Sequence, residues 1–274
     1  MEKIKRALER AKQEGEQQPS EQDRDGAVPT TSSRSAVKEI SYKQTRVLDI
    51  DADVLRRNRI VVGSGEFAAA ETAYKILRTQ VEQRLAARGW NSVAVSSPGA
   101  GSGKTTTAIN LSLALAQELH RTVLLVDLDF RNPSVHRSFE INVEKGLIDY
   151  LLYGVPLNEI LLNPGVERLV ILPAGKNPVP NSSELLSSPE MVRLVDELKS
   201  RYPSRIIVFD LPPLLWSDDM LAFAPYVDTT LLVVSEGLTT KEELRRVMEI
   251  MEGNNVLGTV LNRATEIQPS YYYK

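Results

Sequence analysis

The sequence predicts an α/β fold, a mostly parallel sheet with helices on both faces, and three observations predict it. Six short apolar runs (Ser92–Val95, Val123–Val126, Leu169–Leu172, Ile206–Phe209, Thr230–Val234 and Leu257–Leu261) are rich in β-branched residues and bounded by Gly, Pro, Asn or Asp. Segments of helical period separate most of them. A glycine-rich loop joins the first run to the apolar helical segment that follows it. Near-continuous apolar runs, rather than alternating ones, are what strands covered on both faces require.

Taken from the N-terminus, residues 1–14 place Ile4, Leu8 and Ala11 at helical spacing among charged residues, which suggests a short amphipathic helix. A solvated helix and a docking helix for a partner or membrane surface both fit it. Residues 15–35 are polar and interrupted by proline, the composition of a flexible linker. Residues 37–62 hold enough apolar side chains to lie against a domain but show no clear period. The segment Glu66–Arg88 is expected to be a helix, with Tyr74, Leu77, Val81 and Leu85 on one face and Gly89 after its end. Beyond the last run, a polar stretch precedes Tyr271, Tyr272, Tyr273 and Lys274. The expected organisation is an N-terminal helix and linker over 1–60, a folded domain over 61–266 and a tyrosine-rich tail over 267–274.

A length of 274 residues suits one α/β domain of about 200 residues with appendages. The 33 Lys and Arg against 36 Asp and Glu give a formal charge of -3, so no nucleic-acid partner is expected. Cysteine is absent, which fits a reducing compartment and excludes iron–sulfur clusters and thiolate zinc sites. No run approaches the roughly 18 apolar residues of a membrane span, and the N-terminus is too charged for a secretory signal. A cytoplasmic location is expected.

The loop between the first strand and its helix is Ser96-Ser97-Pro98-Gly99-Ala100-Gly101-Ser102-Gly103-Lys104-Thr105-Thr106. Strand, glycine loop and helix in that order make a phosphate-binding P-loop. Glycines let successive N–H groups turn inward, the helix N-terminus adds partial positive charge, Lys104 reaches the outer phosphates and the Thr105 hydroxyl can ligate Mg²⁺. The strict pattern has glycine where Pro98 stands; the core Gly101–Thr105 is intact. Two more strands deliver carboxylates at their C-terminal ends, where open α/β sheets bind ligands. One run continues into Asp127, Asp129 and Arg131, another into Asp210, Pro212 and Pro213. A lone aspartate there is often a helix-capping turn residue, but three around one phosphate loop supply the positioning, charge neutralisation and carboxylate that phosphoryl transfer needs.

These residues resemble the bacterial tyrosine kinases of capsular and exopolysaccharide biosynthesis, over about residues 66–274, with a P-loop fold of the MinD/ParA-like superfamily. The most specific match is Leu124–His136, which is similar to the family's second aspartate motif, D-x-D-x-R followed by R-x-P. Gly146-Leu147 with Asp149, Leu172–Gly175, Asn181, Glu184–Leu186 and the terminal tyrosines also match. The resemblance implies ATP and Mg²⁺ as cofactors, held by Gly99–Thr106 and Arg131. Lys104 would contact the β- and γ-phosphates, and Thr105, Asp129 and Asp210 would hold the metal. Asp127 would be the base for an incoming tyrosine hydroxyl, and Asn262 would read adenine or be a strand-end turn residue. It implies phosphorylation of Tyr271, Tyr272 and Tyr273 between copies in a ring or other homo-oligomer, a membrane-embedded polysaccharide co-polymerase as activator, recruitment to the inner membrane face, and other tyrosine-phosphorylated proteins as partners. The family's E-x-x-R-x-x-R ring helix is here Thr72, Lys75, Arg78, with Glu71 one residue off.

Two alternatives share the fold. A ParA/MinD-like positioning ATPase usually has a lysine where this chain has Gly99, and a nucleotide-gated assembly factor would use the tail only for docking. Neither histidine attracts a catalytic role: His120 is placed at the end of the loop helix and His136 in local packing.

Overall fold

The computed structural model describes residues 46–61, 67–202 and 204–265. The expected 1–14 helix, the 15–35 linker and Tyr271–Tyr273 lie outside them. The described strands are β1 (Arg46–Val47), β2 (Ser92–Ser96), β3 (Thr122–Asp127), β4 (Leu162–Asn163), β5 (Leu169–Leu172), β6 (Arg205–Asp210), β7 (Thr229–Ser235) and β8 (Val256–Asn262). They form one sheet in the order β1-β4-β5-β3-β6-β2-β7-β8, parallel at every pairing except β4 with β5.

The six strands expected from the sequence are all present, and their period-two geometry sorts the apolar runs into two cores. Ala94, Leu124, Val126, Ile207, Phe209 and Leu232 face one core, with Leu194 and Val195 of helix Pro189–Arg201 and Val247 of helix Lys241–Ile250. Val93, Val95, Leu125, Val208 and Val233 face the other, against helix Lys104–Ala116 and helix Ala68–Ala86. Helix Lys104–Ala116 is buried over ten consecutive residues because it lies between the sheet and a second helix, which is why its sequence is apolar all round. Truncating a fully buried side chain such as Leu111 to Ala is expected to cost about 2–5 kcal/mol. That helix stops at Ala116, so His120 lies in the turn beyond its end rather than on its last turn.

Residues 46–60, assigned by sequence to the linker, belong to the folded structure. β1 pairs with β4, helix Ala52–Arg57 is capped by Asp51 accepting from the Asp53 N–H, and Val54 and Ile60 are buried. The signal was weak because β1 and β4 have two residues each, too few to show a period. At the opposite end of β2 from the loop, Asp228 accepts from the N–H groups of Asn91 and Ser92 and from the Ser92 hydroxyl, and pairs with Lys199 at 2.6 Å. This pins the strand that carries the loop.

Candidate active site

Three neighbouring strands bring the site together. Asp127 at the end of β3 is the register partner of Asp210 at the end of β6, and Asp210 is the partner of Val95 on β2, just before the loop. Their C-terminal ends therefore open onto the same place. The loop turns through Gly101 and Gly103 at φ 75° and 85°, which side chains disfavour, and Gly103 then caps the helix that begins with Lys104. A Cβ on Gly103 would also collide with the Asn262 amide. Ser102 and Ser97 hydroxyls both donate to the Gly99 carbonyl, at 3.0 and 2.8 Å, and hold the loop's entry.

Lys104 Nζ lies 2.8 Å from Asp129 Oδ2 and 3.6 Å from Asp210 Oδ1. Burial alone would lower the lysine's pKa, but the charges of Asp210 and Asp129 outweigh it and keep the ammonium form favoured. Thr105 donates its hydroxyl to Asp210 Oδ2 at 2.7 Å and lies 3.0 Å from the Ser134 hydroxyl. Asp210 is fully buried; burial pushes its carboxyl up, against Lys104 and Thr105, and its Oδ1 accepts no hydrogen bond.

Asp127 sits behind this group. Its Oδ2 accepts from the Ser134 and Val135 N–H groups at 2.9 and 3.0 Å, and its Oδ1 accepts from the Asp129 N–H at 3.2 Å. Burial, then the charge of Asp210, push its carboxyl up to about 7 against those bonds and Lys104. The carboxylate expected to act as base thus supports the turn after the D-x-D motif, while Asp129 lines the cleft.

Arg131 and Asn262 are both at the site, with their polar groups engaged by protein. Arg131 Nε donates to the Ser182 hydroxyl at 2.9 Å and lies 3.4 Å from the buried Asp219, to which Ser182 also donates. Asn262 donates through Nδ2 to the Ser102 carbonyl at 2.9 Å. The cleft, about 630 Å³, is lined by Ala100, Gly101 and Gly103–Thr106 of the loop, and by Asp129, Arg131, Ser134, Pro212, Pro213 and Trp216 among others. Trp216 and Ser182 carried no motif signal; Trp216 stands 71% exposed beside the loop, held by its N–H to the Pro213 carbonyl. The other matched segments meet each other: Leu147 and Ile148 donate to the carbonyls of Pro173 and Ala174, and Gly146 lies so close to Gly175 that a Cβ would clash.

The residues fit Mg²⁺. A buried carboxylate oxygen without a hydrogen bond, a hydroxyl and a second carboxylate converge at the loop, hard oxygen donors for a hard cation. No group of three His, Cys, Asp or Glu that could hold a metal ion by itself is found among the described residues.

A family model described as an AAA domain matches residues 90–252. The tyrosine-protein kinase YwqD of Bacillus subtilis (strain 168) is 33% identical over 210 residues, covering 76% of this chain and 86% of that protein. The chain belongs to the bacterial tyrosine-kinase family. The kinase superposes on the kinase domain of the Escherichia coli tyrosine kinase ETK with a TM-score of 0.65 and 30% identity, over 74% of this chain and 80% of the other. The septum site-determining protein MinD of Pyrococcus horikoshii, complexed with Mg-ADP, shares the fold at a TM-score of 0.52 and 23% identity, over 64% of this kinase and 71% of MinD. No helix among the described residues is long and apolar enough to cross a membrane.

Proposed function

We propose that the kinase binds ATP and Mg²⁺ at this loop and transfers the γ-phosphoryl group to the tyrosines of its own C-terminal cluster, Tyr271, Tyr272 and Tyr273, between copies of the chain. The observation that carries the reading is the convergence of Lys104, Thr105, Asp129 and Asp210 at the loop mouth. Mg²⁺, when bound, neutralises charge on the transferring group. The loop N–H groups and Lys104 would bind the phosphate chain, Thr105, Asp129 and Asp210 would hold the metal, and Pro212 and Pro213 line the cleft that an incoming hydroxyl would enter. Asp127 keeps the role of base on one condition, that the entering hydroxyl displaces one of its backbone N–H donors.

Three phosphotyrosines would add about 4.5 to 6 negative charges near neutral pH, enough for tails to repel one another and loosen an assembly. An assembly built on helix Ala68–Ala86 would have to use a surface whose charges are already paired: Glu71 with Lys75 at 2.7 Å and Arg78 with Glu118 at 3.0 Å. Control of exopolysaccharide synthesis through a membrane-embedded activator, with the kinase cytoplasmic and recruited to the inner membrane face, completes the reading. It is supported by the motif resemblance alone.

The deciding experiment is intact mass before and after Mg-ATP, for the wild type, Lys104→Ala and a variant with Phe at positions 271, 272 and 273. Each phosphate adds about 80 Da, and the wild type should gain phosphates that both variants lack. ATP hydrolysis without added mass, even with candidate activators present, would favour the positioning-ATPase or assembly-factor alternative.

A further inference from the structure

The segment ahead of the first long helix reaches the nucleotide loop. Asn110, buried on helix Lys104–Ala116, accepts from the Val61 N–H at 2.6 Å and donates to the Arg59 carbonyl at 3.0 Å. Ile60 between them is buried in the core beneath the helix. Arg59 is left with φ 54°, a left-handed backbone that arginine adopts only where its surroundings impose it, and its side chain is exposed.

That side chain borders a second cleft of about 670 Å³, lined by Arg59, Gly103, Thr106, Asn262, Arg263 and Ala264. Gly103, Thr106 and Arg263 also line the phosphate-side cleft, so one ligand can occupy both. With phosphates on the loop, the second cleft is where a base and ribose would lie. Among the described residues no carboxylate pairs with Arg59 or Arg263. A guanidinium is planar and more weakly hydrated than an ammonium, which suits it to lie on an aromatic base.

We propose that Arg59 is a nucleotide-binding residue that packs its guanidinium on the adenine ring, so that residues 59–61, held by Asn110, form a wall of the site supplied from outside the loop's own domain elements. The assignment rests on the ATP-binding reading of the loop.

The test is calorimetric titration of the full chain, with Mg²⁺ present, by ADP and by inorganic tripolyphosphate. Wild type, Arg59→Ala, Arg59→Gly and Lys104→Ala are compared; glycine suits the left-handed backbone, so a folding defect cannot explain a shared result. Arg59→Ala and Arg59→Gly should each weaken ADP about tenfold and leave tripolyphosphate unchanged, while Lys104→Ala weakens both. Equal losses for the two ligands would mean Arg59 serves phosphate, and unchanged ADP binding would mean it serves neither; either result overturns the assignment and leaves the kinase reading standing. A wild type that binds neither ligand would sink the ATP reading and the Arg59 assignment together.

Discussion

Thr105 and Asp210, 105 residues apart, are joined by a 2.7 Å hydrogen bond from the threonine hydroxyl to the carboxylate. The bond holds two hard oxygens side by side where a metal and phosphate would sit. Thr105→Ala and Asp210→Asn should each lower phosphate incorporation about a hundredfold or more, and Thr105→Ser should keep most of it. Initial rates measured across a Mg²⁺ titration check this. Equal rates for Thr105→Ala and wild type at every Mg²⁺ concentration would remove Thr105 from the site.

The two aspartates of the D-x-D motif should separate by stability. Asp127→Asn puts an amide N–H₂ against the Asp129 N–H or, flipped, against the Ser134 and Val135 N–H groups, so it should lower the melting temperature as well as activity. Asp129→Asn should lower activity with a smaller thermal change, since the amide oxygen can keep the Asn132 N–H and what is lost is the ion pair with Lys104 at the cleft. If Asp127→Asn, compared at equal folded fraction, retains wild-type phosphate incorporation, Asp127 is not the base.

Gly103→Ala combines a disfavoured φ of 85° with a collision against Asn262. A destabilisation of about 1–3 kcal/mol is expected from the backbone alone, together with loss of nucleotide binding. Adding Asn262→Ala should recover part of the stability, because it removes the collision and leaves the backbone strain. Urea titrations of the single and double variants measure the difference.

Asp228 gives a pH signature. Burial would raise its carboxyl, but the Lys199 ammonium, the Ser92 hydroxyl and the Asn91 N–H outweigh it and hold the pKa below the ordinary carboxylate value. A depressed folded value means that the contribution is complete above the unfolded carboxylate range, near 4, and is lost as pH falls through the lower folded value. Asp228→Asn should cost about 2 kcal/mol near pH 7, and the gap to wild type should shrink on the acid side. Denaturant midpoints from pH 7 downward would show it, and a gap that widened in acid would contradict it.

Much of this fold and site was legible in advance because its signals are local. Strands such as Val123–Val126 and Ile206–Phe209 declare themselves by apolar runs that end in aspartate, and Gly101–Thr105 by a spacing that serves one kind of turn. What escaped was non-local. β1 and β4 exist because they pair with each other, and neither has length enough for a period. The roles of Asp127 and Asp129 were assigned by resemblance; nothing local showed that Asp127 is held by three backbone N–H groups while Asp129, with one from Asn132, pairs with Lys104 at the cleft, a difference set by how the chain turns at Ser134. Arg59 belongs to a stretch without pattern and is brought to the loop by Asn110, whose place in an apolar helix gave no hint of a partner 51 residues earlier.

The register partnership of Asp127 with Asp210 has an evolutionary consequence. Because successive residues of a strand point to opposite faces, a single-residue insertion or deletion inside β3 or β6 would turn one carboxylate away from the loop and drive an apolar neighbour into its place. Length changes in this lineage should therefore collect in the connections, such as Asn142–Lys145 or Gly253–Asn255, and avoid the strands that carry aspartates. Chemistry written into ladder register tolerates substitution at many positions and indels at almost none.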